Sequence, residues 1–117
     1  MVLTKDAILS ADDLPRESVD VPEWGGDVLV RTMTGTERDA FEQAVIDGRT
    51  GKATNMQNIR ARLCALCVVD EKGQRLFDDK DVAELGRKSS KALDRVFEVA
   101  QQLNGLREAD IDELSGN

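Results

Sequence analysis

The residues best suited to chemistry in this sequence are two cysteines three positions apart, Cys64 and Cys67. A Cys-x-x-Cys pair is a redox motif when it lies at the start of a helix, where the dipole lowers the thiol pKa. Here the pair is predicted to lie late in a helix, where the dipole acts the other way. We interpret both cysteines as buried small side chains, with redox or metal use as the alternative.

The absence of histidine restricts catalysis and metal binding further. It removes the commonest general base, the commonest metal ligand and every Ser-His or Cys-His nucleophile pair. A zinc site at the cysteines would need two more soft ligands, which the chain does not offer. The acidic cluster Asp78, Asp79 and Asp81 does not match the twelve-residue calcium loop, and helix capping explains it better. We therefore expect no catalytic residue, no metal and no cofactor.

Composition indicates one folded, acidic domain. The chain has 117 residues, of which 40% are hydrophobic and 33% charged, and its net charge is −7. Such a charge repels polyphosphates, so nucleic acid and anionic membranes are not expected as partners. The longest uncharged apolar run, residues 63–69, is far shorter than the roughly 20 residues of a membrane helix. No signal-peptide pattern begins the sequence, so a cytosolic location is expected.

Patterns in the first 54 residues predict an arm, a hairpin, a helix and a loop. Residues 1–14 are interpreted as a flexible, partly helical arm. Apolar residues alternate with polar ones on both sides of the turn at 22–26, which predicts a β-hairpin over about 18–33. Thr34 and Glu37 have the spacing of a capping box, which predicts a helix over 35–47 ended by Gly48. The segment 49–54 is expected to be a loop.

A second helix is predicted to begin at Asn55 and to carry one apolar stripe. The stripe consists of Met56, Ile59, Leu63 and Leu66. Residues 68–77 predict a second short hairpin, with Gly73 in its turn. A short helix capped by Asp78 or Asp79 follows.

The clearest helix is predicted to start after Ser89 or Ser90 and to end at Asn104-Gly105. Its apolar stripe consists of Leu93, Val96, Phe97, Ala100 and Leu103. The predicted fold class is therefore α+β, a mainly helical single domain with an N-terminal β-hairpin and a second short hairpin. The domain covers 15–106, and 107–117 form an acidic C-terminal segment.

Because no catalytic side chain is expected, the apolar side chains are the candidates for binding a partner. Trp24 is the only tryptophan and lies beside two glycines in the hairpin turn. It either folds back over the core or serves as an anchor for a partner. Exposed parts of the two helical stripes are the other candidates. The predicted partner-binding residues are Trp24, Met56, Leu63, Leu93, Val96 and Phe97.

Several motifs together resemble one known family. Residues 21–31, Val-Pro-Glu-Trp-Gly-Gly-Asp-Val-Leu-Val-Arg, followed by Met-Thr-Gly-Thr-Glu-Arg-Asp at 33–39, look like the N-terminal signature of tail assembly chaperones of long-tailed, non-contractile bacteriophages. Residues 69–73, Leu76-Phe77 and 103–106 are similar to later parts of the same pattern. The resemblance covers about residues 15–117.

The resemblance implies a binding protein that acts during tail morphogenesis and is absent from the mature virion. Its expected partners are the tape measure protein and the tail tube protein, in the cytoplasm of an infected or lysogenic bacterial host. Repeated sites on a long client favour self-association into a dimer or ring, so a homo-oligomer is expected. A longer form made by frameshifting is also known in such families. The alternatives are a small phage-encoded adaptor and another morphogenesis factor, such as a head–tail joining protein.

Overall fold

The computed structural model describes residues 1–50 and 58–106. Within these ranges the chain forms five α-helices and three β-strands. In chain order these are α1 (Lys5–Ser10), β1 (Arg16–Val21), β2 (Gly26–Arg31), α2 (Gly35–Thr50), α3 (Ile59–Cys67), β3 (Val68–Val69), α4 (Val82–Leu85) and α5 (Ser90–Leu103). The fold is α+β and mainly helical, as the sequence predicts.

The three strands form one antiparallel sheet in the order β1-β2-β3. β1 and β2 pair from Arg16 opposite Arg31 to Val21 opposite Gly26, which confirms the predicted hairpin. The predicted second hairpin is reduced to β3, which pairs with β2, and a single antiparallel bridge between Val69 and Arg75. The short hairpin is therefore present around Gly73, and its first strand, β3, also extends the N-terminal sheet.

The helices cover one face of this sheet. Along β1, Val19 and Val21 are buried, and the alternate residues Ser18 and Asp20 are exposed, as expected for a strand with one solvated face. Helix α5 packs against β1, β2 and α3, and α3 also contacts α2 and α4. The core includes Phe41, Leu63, Cys64, Cys67, Val68, Val96 and Ala100, all at most 2% exposed. Helix α3 is thus the central element of the domain.

The start of α2 confirms the capping box. The Thr34 hydroxyl oxygen accepts from the Glu37 backbone N–H at 3.1 Å, and the Glu37 carboxylate accepts from the Thr34 N–H at 2.9 Å. The predicted end at Gly48 is wrong, because the helix continues to Thr50. A glycine inside a helix costs only about 1 kcal/mol, which the neighbouring helical turns can offset.

Helix α3 begins at Ile59, later than predicted. Asn58 precedes it in the left-handed conformation with φ 65°, and its side chain makes no capping hydrogen bond. The predicted cap Asn55 and the stripe residue Met56 lie outside the described residues. Of the predicted loop 49–54, Arg49 and Thr50 are helical and the remainder lies outside the described range.

Both ends of α5 agree with the prediction. Ser89 caps the start, where its hydroxyl accepts from the Ala92 N–H at 3.3 Å. At the other end Gly105 has φ 65°, and the Asn104 side chain accepts from the Met33 N–H at 2.7 Å. The Asn104 backbone carbonyl also accepts from Arg38 at 2.9 Å. The end of α5 is thereby joined to the segment between β2 and α2.

Candidate partner-binding surface

The turn of the first hairpin is a single 3-10 turn, Pro22–Trp24. Proline suits the first position of such a turn because its φ is already helical and its missing N–H is not needed there. Gly25 closes the turn with φ 79°, and its N–H donates to the Pro22 carbonyl at 3.1 Å. This left-handed conformation favours glycine. The turn holds Trp24 half-buried against the core.

Trp24 lines a surface groove of about 720 Å³ between this turn and the segment that leads into α4. The apolar lining residues are Trp24, Leu76, Phe77 and Leu85, and the charged ones are Glu23, Asp81, Glu84 and Lys88. Leu76 is 53% exposed, whereas Leu85 is 6% exposed and belongs to the core. We call this set of eight residues the Trp24 groove. It combines apolar contact area with a net negative charge.

A tight turn before the groove positions Leu76 and Phe77. The Asp70 carboxylate accepts from the N–H groups of Lys72 at 2.8 Å and Gln74 at 3.0 Å, and Gly73 has φ 86°. The Leu76 N–H then donates to the Val68 carbonyl at 3.2 Å. These bonds reverse the chain directly after β3, so the two apolar residues emerge beside the hairpin turn.

The other side of the groove is positioned by a second capping box. The Asp78 carboxylate accepts from the Lys80 N–H at 3.1 Å, and Asp81 accepts from the Asp78 N–H at 3.0 Å. A short 3-10 turn, Asp79–Asp81, then leads into α4 and places Glu84 and Leu85 in the groove. The acidic cluster therefore does have the capping role that its spacing favoured over metal binding.

An ion pair between Glu23 and Arg95 joins the hairpin turn to α5. A hydrogen bond from its own backbone N–H lowers the pKa of the Glu23 carboxyl; partial desolvation opposes this, and Arg95 lowers the pKa further. Glu23 is therefore a carboxylate near neutral pH. The Trp24 indole N–H is shielded from solvent and has no hydrogen-bond acceptor among the described residues.

Comparison with known proteins identifies the family. The family model described as "Phage tail assembly chaperone" matches residues 4–116. The chain belongs to this family. The solved structure of the bacteriophage HK97 tail assembly chaperone matches with a TM-score of 0.62 and 20% identity, over 84% of this chain and 94% of that chain. At that identity the match shows a shared fold. A search of the curated proteins finds no match.

Family membership agrees with the chemistry of the chain. Tail assembly chaperones are non-catalytic morphogenesis proteins. Within residues 1–50 and 58–106, no group of three or more acidic, cysteine or histidine residues is arranged to hold a metal. None of the helices in the same ranges is long and apolar enough to span a membrane.

The two cysteines of this family member lie in the core. Cys64 is 1% and Cys67 0% exposed. Burial, with a smaller contribution from Cys67, raises the pKa of the Cys64 thiol to about 12. Burial likewise raises the pKa of Cys67 to about 12, although a hydrogen bond from Asn104 opposes the shift. Because the thiolate is the reactive form, this environment opposes redox and metal chemistry at the pair.

The structure describes five of the six predicted partner-binding residues and places them differently. Trp24 is half-buried against the core, as the folded-back interpretation predicts, and it also lines the groove; its role as an anchor for a partner stays a prediction. Phe97 is half-buried and packs beside the core. Leu63, Leu93 and Val96 are 0%, 5% and 0% exposed, and Met56 lies outside the described residues. The interpretation of Leu63, Leu93 and Val96 as surface residues is corrected, because the contact of α3 with α5 and of α5 with the sheet encloses them.

Three apolar groove residues were not among the predicted partner-binding residues, namely Leu76, Phe77 and Leu85. The signal for Leu76 and Phe77 was present in the sequence, because two adjacent apolar residues follow a polar turn and precede three aspartates. Adjacent residues on an extended chain point to opposite sides, so one of these two side chains is expected to face the solvent.

The N-terminal arm is the second exposed apolar surface. Thr4 caps α1, where its hydroxyl oxygen accepts from the Ala7 N–H at 3.2 Å, and no residue of this helix is buried. Five large apolar residues in the arm are more than half exposed: Met1, Val2, Leu3, Ile8 and Leu9. The helical part of the predicted arm is thus present, and it leaves its apolar side chains in solvent.

Proposed function

We propose that this family member binds an apolar helical segment of the tape measure protein in the Trp24 groove. It does so during tail assembly, in the cytoplasm of the bacterial host, and is absent from the mature virion. By holding apolar segments of the client, it limits their aggregation until the tail tube protein assembles around them. We further propose that the chaperone acts as a homo-oligomer, because several grooves on one long client raise the effective affinity.

The observation that carries this proposal is the apolar lining of the groove in a member of the tail assembly chaperone family. Leu76 is a large apolar side chain that is 53% exposed, although burial would stabilise it. Together with Trp24 and Phe77 it offers a concave apolar surface, which is how a groove receives the apolar face of an amphipathic helix. Binding of this kind needs contact area and no catalytic group.

Charge adds selectivity to the proposed contact. Asp81, Glu84 and Lys88 line the groove beside its apolar residues, and Glu23, which also lines it, is paired with Arg95. An acidic margin favours client segments that carry Lys or Arg next to their apolar face and repels acidic segments. We therefore expect the bound segment of the tape measure protein to be an amphipathic helix with basic flanks.

Co-expression with the large helical protein encoded downstream tests the proposal. We expect the client to become soluble and to co-purify with the chaperone. Leu76→Glu should reduce the amount of co-purified client, because it places a charge in the apolar part of the groove. Gln74→Glu is the matched control, since it adds the same charge at an exposed position that does not line the groove.

Two results would contradict the proposal. A client that stays insoluble beside free, folded chaperone would favour an adaptor that binds a host protein instead. Equal loss of client with Leu76→Glu and Gln74→Glu would show that the added charge acts non-specifically, and the groove would then not be the binding site.

A further inference from the structure

We propose that strand β1 of one copy of the chain pairs with β1 of a second copy, in antiparallel orientation and about a two-fold axis at Ser18. The inference rests on the self-association proposed above, and it names the surface and the register of that contact. No residue of β1 lines the Trp24 groove, so the contact between copies and the contact with the client use separate surfaces.

Strand β1 lies at one edge of the sheet. The strand order is β1-β2-β3, so within residues 1–50 and 58–106 only one side of β1 is paired with another strand. The strand has six residues, none of them proline or glycine, and Arg16, Ser18 and Asp20 are exposed. A strand edge of this kind presents backbone N–H and C=O groups that can pair with a further strand. The edge of β1 can therefore receive a strand from another copy.

The ladder between β1 and β2 shows which backbone groups are unpaired. The Thr32 N–H donates to the Pro15 carbonyl at 3.1 Å, so these two residues form a hydrogen-bonded pair at the open end of the hairpin. Hydrogen-bonded and non-bonded pairs alternate along an antiparallel ladder. Arg16, Ser18 and Asp20 therefore belong to non-bonded pairs, and their N–H and C=O groups point away from β2 towards the free edge. Each of the three can exchange two hydrogen bonds with a partner strand.

The charges on the solvent face of the hairpin favour an antiparallel second copy. Arg16 lies opposite Arg31 across the ladder, and Asp20 lies opposite Asp27. Like charges directly opposite each other destabilise a sheet, and opposite charges stabilise it. Glu37 compensates Arg31, whereas Arg16, Asp20 and Asp27 form no ion pair within the described residues. One end of this face thus lacks a negative partner, and the other end lacks a positive one.

A two-fold axis at Ser18 supplies both missing charges. It places Arg16 of each copy opposite Asp20 of the other, and all three edge pairs are then hydrogen-bonded, with about six backbone bonds in total. On the other face Glu17 lies opposite Val19 of the second copy, so no like charges meet there. A shift by two residues in either direction loses one bonded pair and separates Arg16 from Asp20. The charges and the hydrogen bonds therefore specify the same register, as a self-complementary two-fold interface requires.

Disulfide formation tests this register. In Ser18→Cys the two thiols lie opposite each other at a Cα separation of about 5.5 Å, which a disulfide can span. Asp27→Cys is the matched control, because it lies on the same exposed face but its two copies are more than about 15 Å apart. Cys64 and Cys67 are buried, so the new thiol is the accessible one in each variant. Mild oxidation should link Ser18→Cys into a covalent dimer and leave Asp27→Cys unlinked.

Charge exchange tests the same contact without a covalent bond. Arg16→Glu and Asp20→Lys should each weaken self-association at least about tenfold, since each turns two attractive cross-strand pairs into repulsive ones. An equimolar mixture of these two variants should form a heterodimer, because opposite charges then face each other again. Arg87→Glu makes the same charge change as Arg16→Glu at an exposed residue outside the sheet, and it should leave self-association unchanged. Sedimentation equilibrium measures the association, and circular dichroism establishes that each variant is folded.

Three results would overturn the inference. They are equal disulfide formation by Ser18→Cys and Asp27→Cys, unchanged self-association of Arg16→Glu, and a mixture of the two charge variants that does not associate. If the parent chain still self-associates, these results leave the proposed homo-oligomer intact and assign it to another surface. A parent chain that is monomeric at high micromolar concentration would overturn the homo-oligomer and this contact together. Co-purification of the tape measure protein with Leu76→Glu tests the groove alone, so failure there is distinguishable from failure of the β1 contact.

Discussion

Replacement of Glu37 by alanine should destabilise the domain strongly, because it leaves a buried arginine without its counter-charge. The Glu37 carboxylate accepts two hydrogen bonds from Arg31, at 2.9 and 3.0 Å, and one from the Thr34 N–H at 2.9 Å. The side chains of Arg31 and Glu37 are 9% and 17% exposed. Solvent therefore cannot replace the lost carboxylate fully.

The size of the expected loss in unfolding free energy follows from these contacts. Removal of one partner from a buried ion pair costs about 3–5 kcal/mol, and the partial exposure of Glu37 favours the lower value. Loss of the acceptor for the Thr34 N–H adds about 1 kcal/mol. We expect the free energy of unfolding to fall by about 3–4 kcal/mol, out of the roughly 5–15 kcal/mol usual for a domain.

Urea unfolding measures this loss, followed by circular dichroism and by the fluorescence of Trp24, the only tryptophan. With a slope of about 1.5 kcal/mol per molar urea, the urea concentration at the unfolding midpoint should fall by about 2–3 M. The double variant Arg31→Met with Glu37→Ala should be more stable than Glu37→Ala alone, because it leaves no unpaired charge.

Two results would contradict the expected role of the Arg31–Glu37 pair. If the free energy of unfolding fell by less than about 1 kcal/mol, the Arg31–Glu37 pair would contribute no more than a solvent-exposed salt bridge. A double variant no more stable than Glu37→Ala would show that the unpaired guanidinium is not the source of the loss.

Three further predictions concern stability and reactivity. Partial burial raises the pKa of Glu37, but hydrogen bonds from Arg31 and Thr34 outweigh this effect and lower the pKa below 4.5. The ionised Glu37 carboxylate therefore stabilises the fold above pH 4.5, and this contribution is lost as the pH falls through the lowered pKa. Acid titration should accordingly destabilise the parent more than Glu37→Gln. Asn104→Ala should cost about 1–3 kcal/mol in urea unfolding, because the Met33 N–H loses its acceptor, and Asn104→Asp should not restore stability, because a carboxylate oxygen would replace the amide NH2 that donates to the Ala100 carbonyl at 2.7 Å. Cys64 and Cys67 should resist a thiol reagent in the native state and react in urea; rapid labelling of folded protein would contradict their burial.

Much of the architecture could be predicted because its causes are local. Thr34 and Glu37 contact each other three residues apart, and Ser89 caps α5 within one turn. The first hairpin needs only alternating valines and a glycine with positive φ in its turn. In each case the interacting groups lie within a few residues along the chain, so spacing alone predicts the contact.

Where contacts between distant segments determine the structure, the prediction from the sequence was incomplete or wrong. Strand β3 joins β2 across nearly forty positions of sequence, a pairing that no local pattern specifies. An apolar stripe indicates that a helix buries one face, but periodicity does not say against what. The same pattern therefore fitted core and partner contact for Leu63, Leu93 and Val96, and the packing of α3 on α5 placed all three in the core.

Residue types and short spacings are enough to establish the absence of histidine chemistry, the acidic charge, the α+β class and the resemblance to tail assembly chaperones. The position of the exposed apolar surface, in contrast, depends on the folded arrangement of the chain. Trp24, Leu76 and Leu85 belong to three separate segments, and they form one groove because the hairpin turn, the turn after β3 and α4 meet around the core. Such a surface depends on how distant segments pack, which no local pattern of residues specifies.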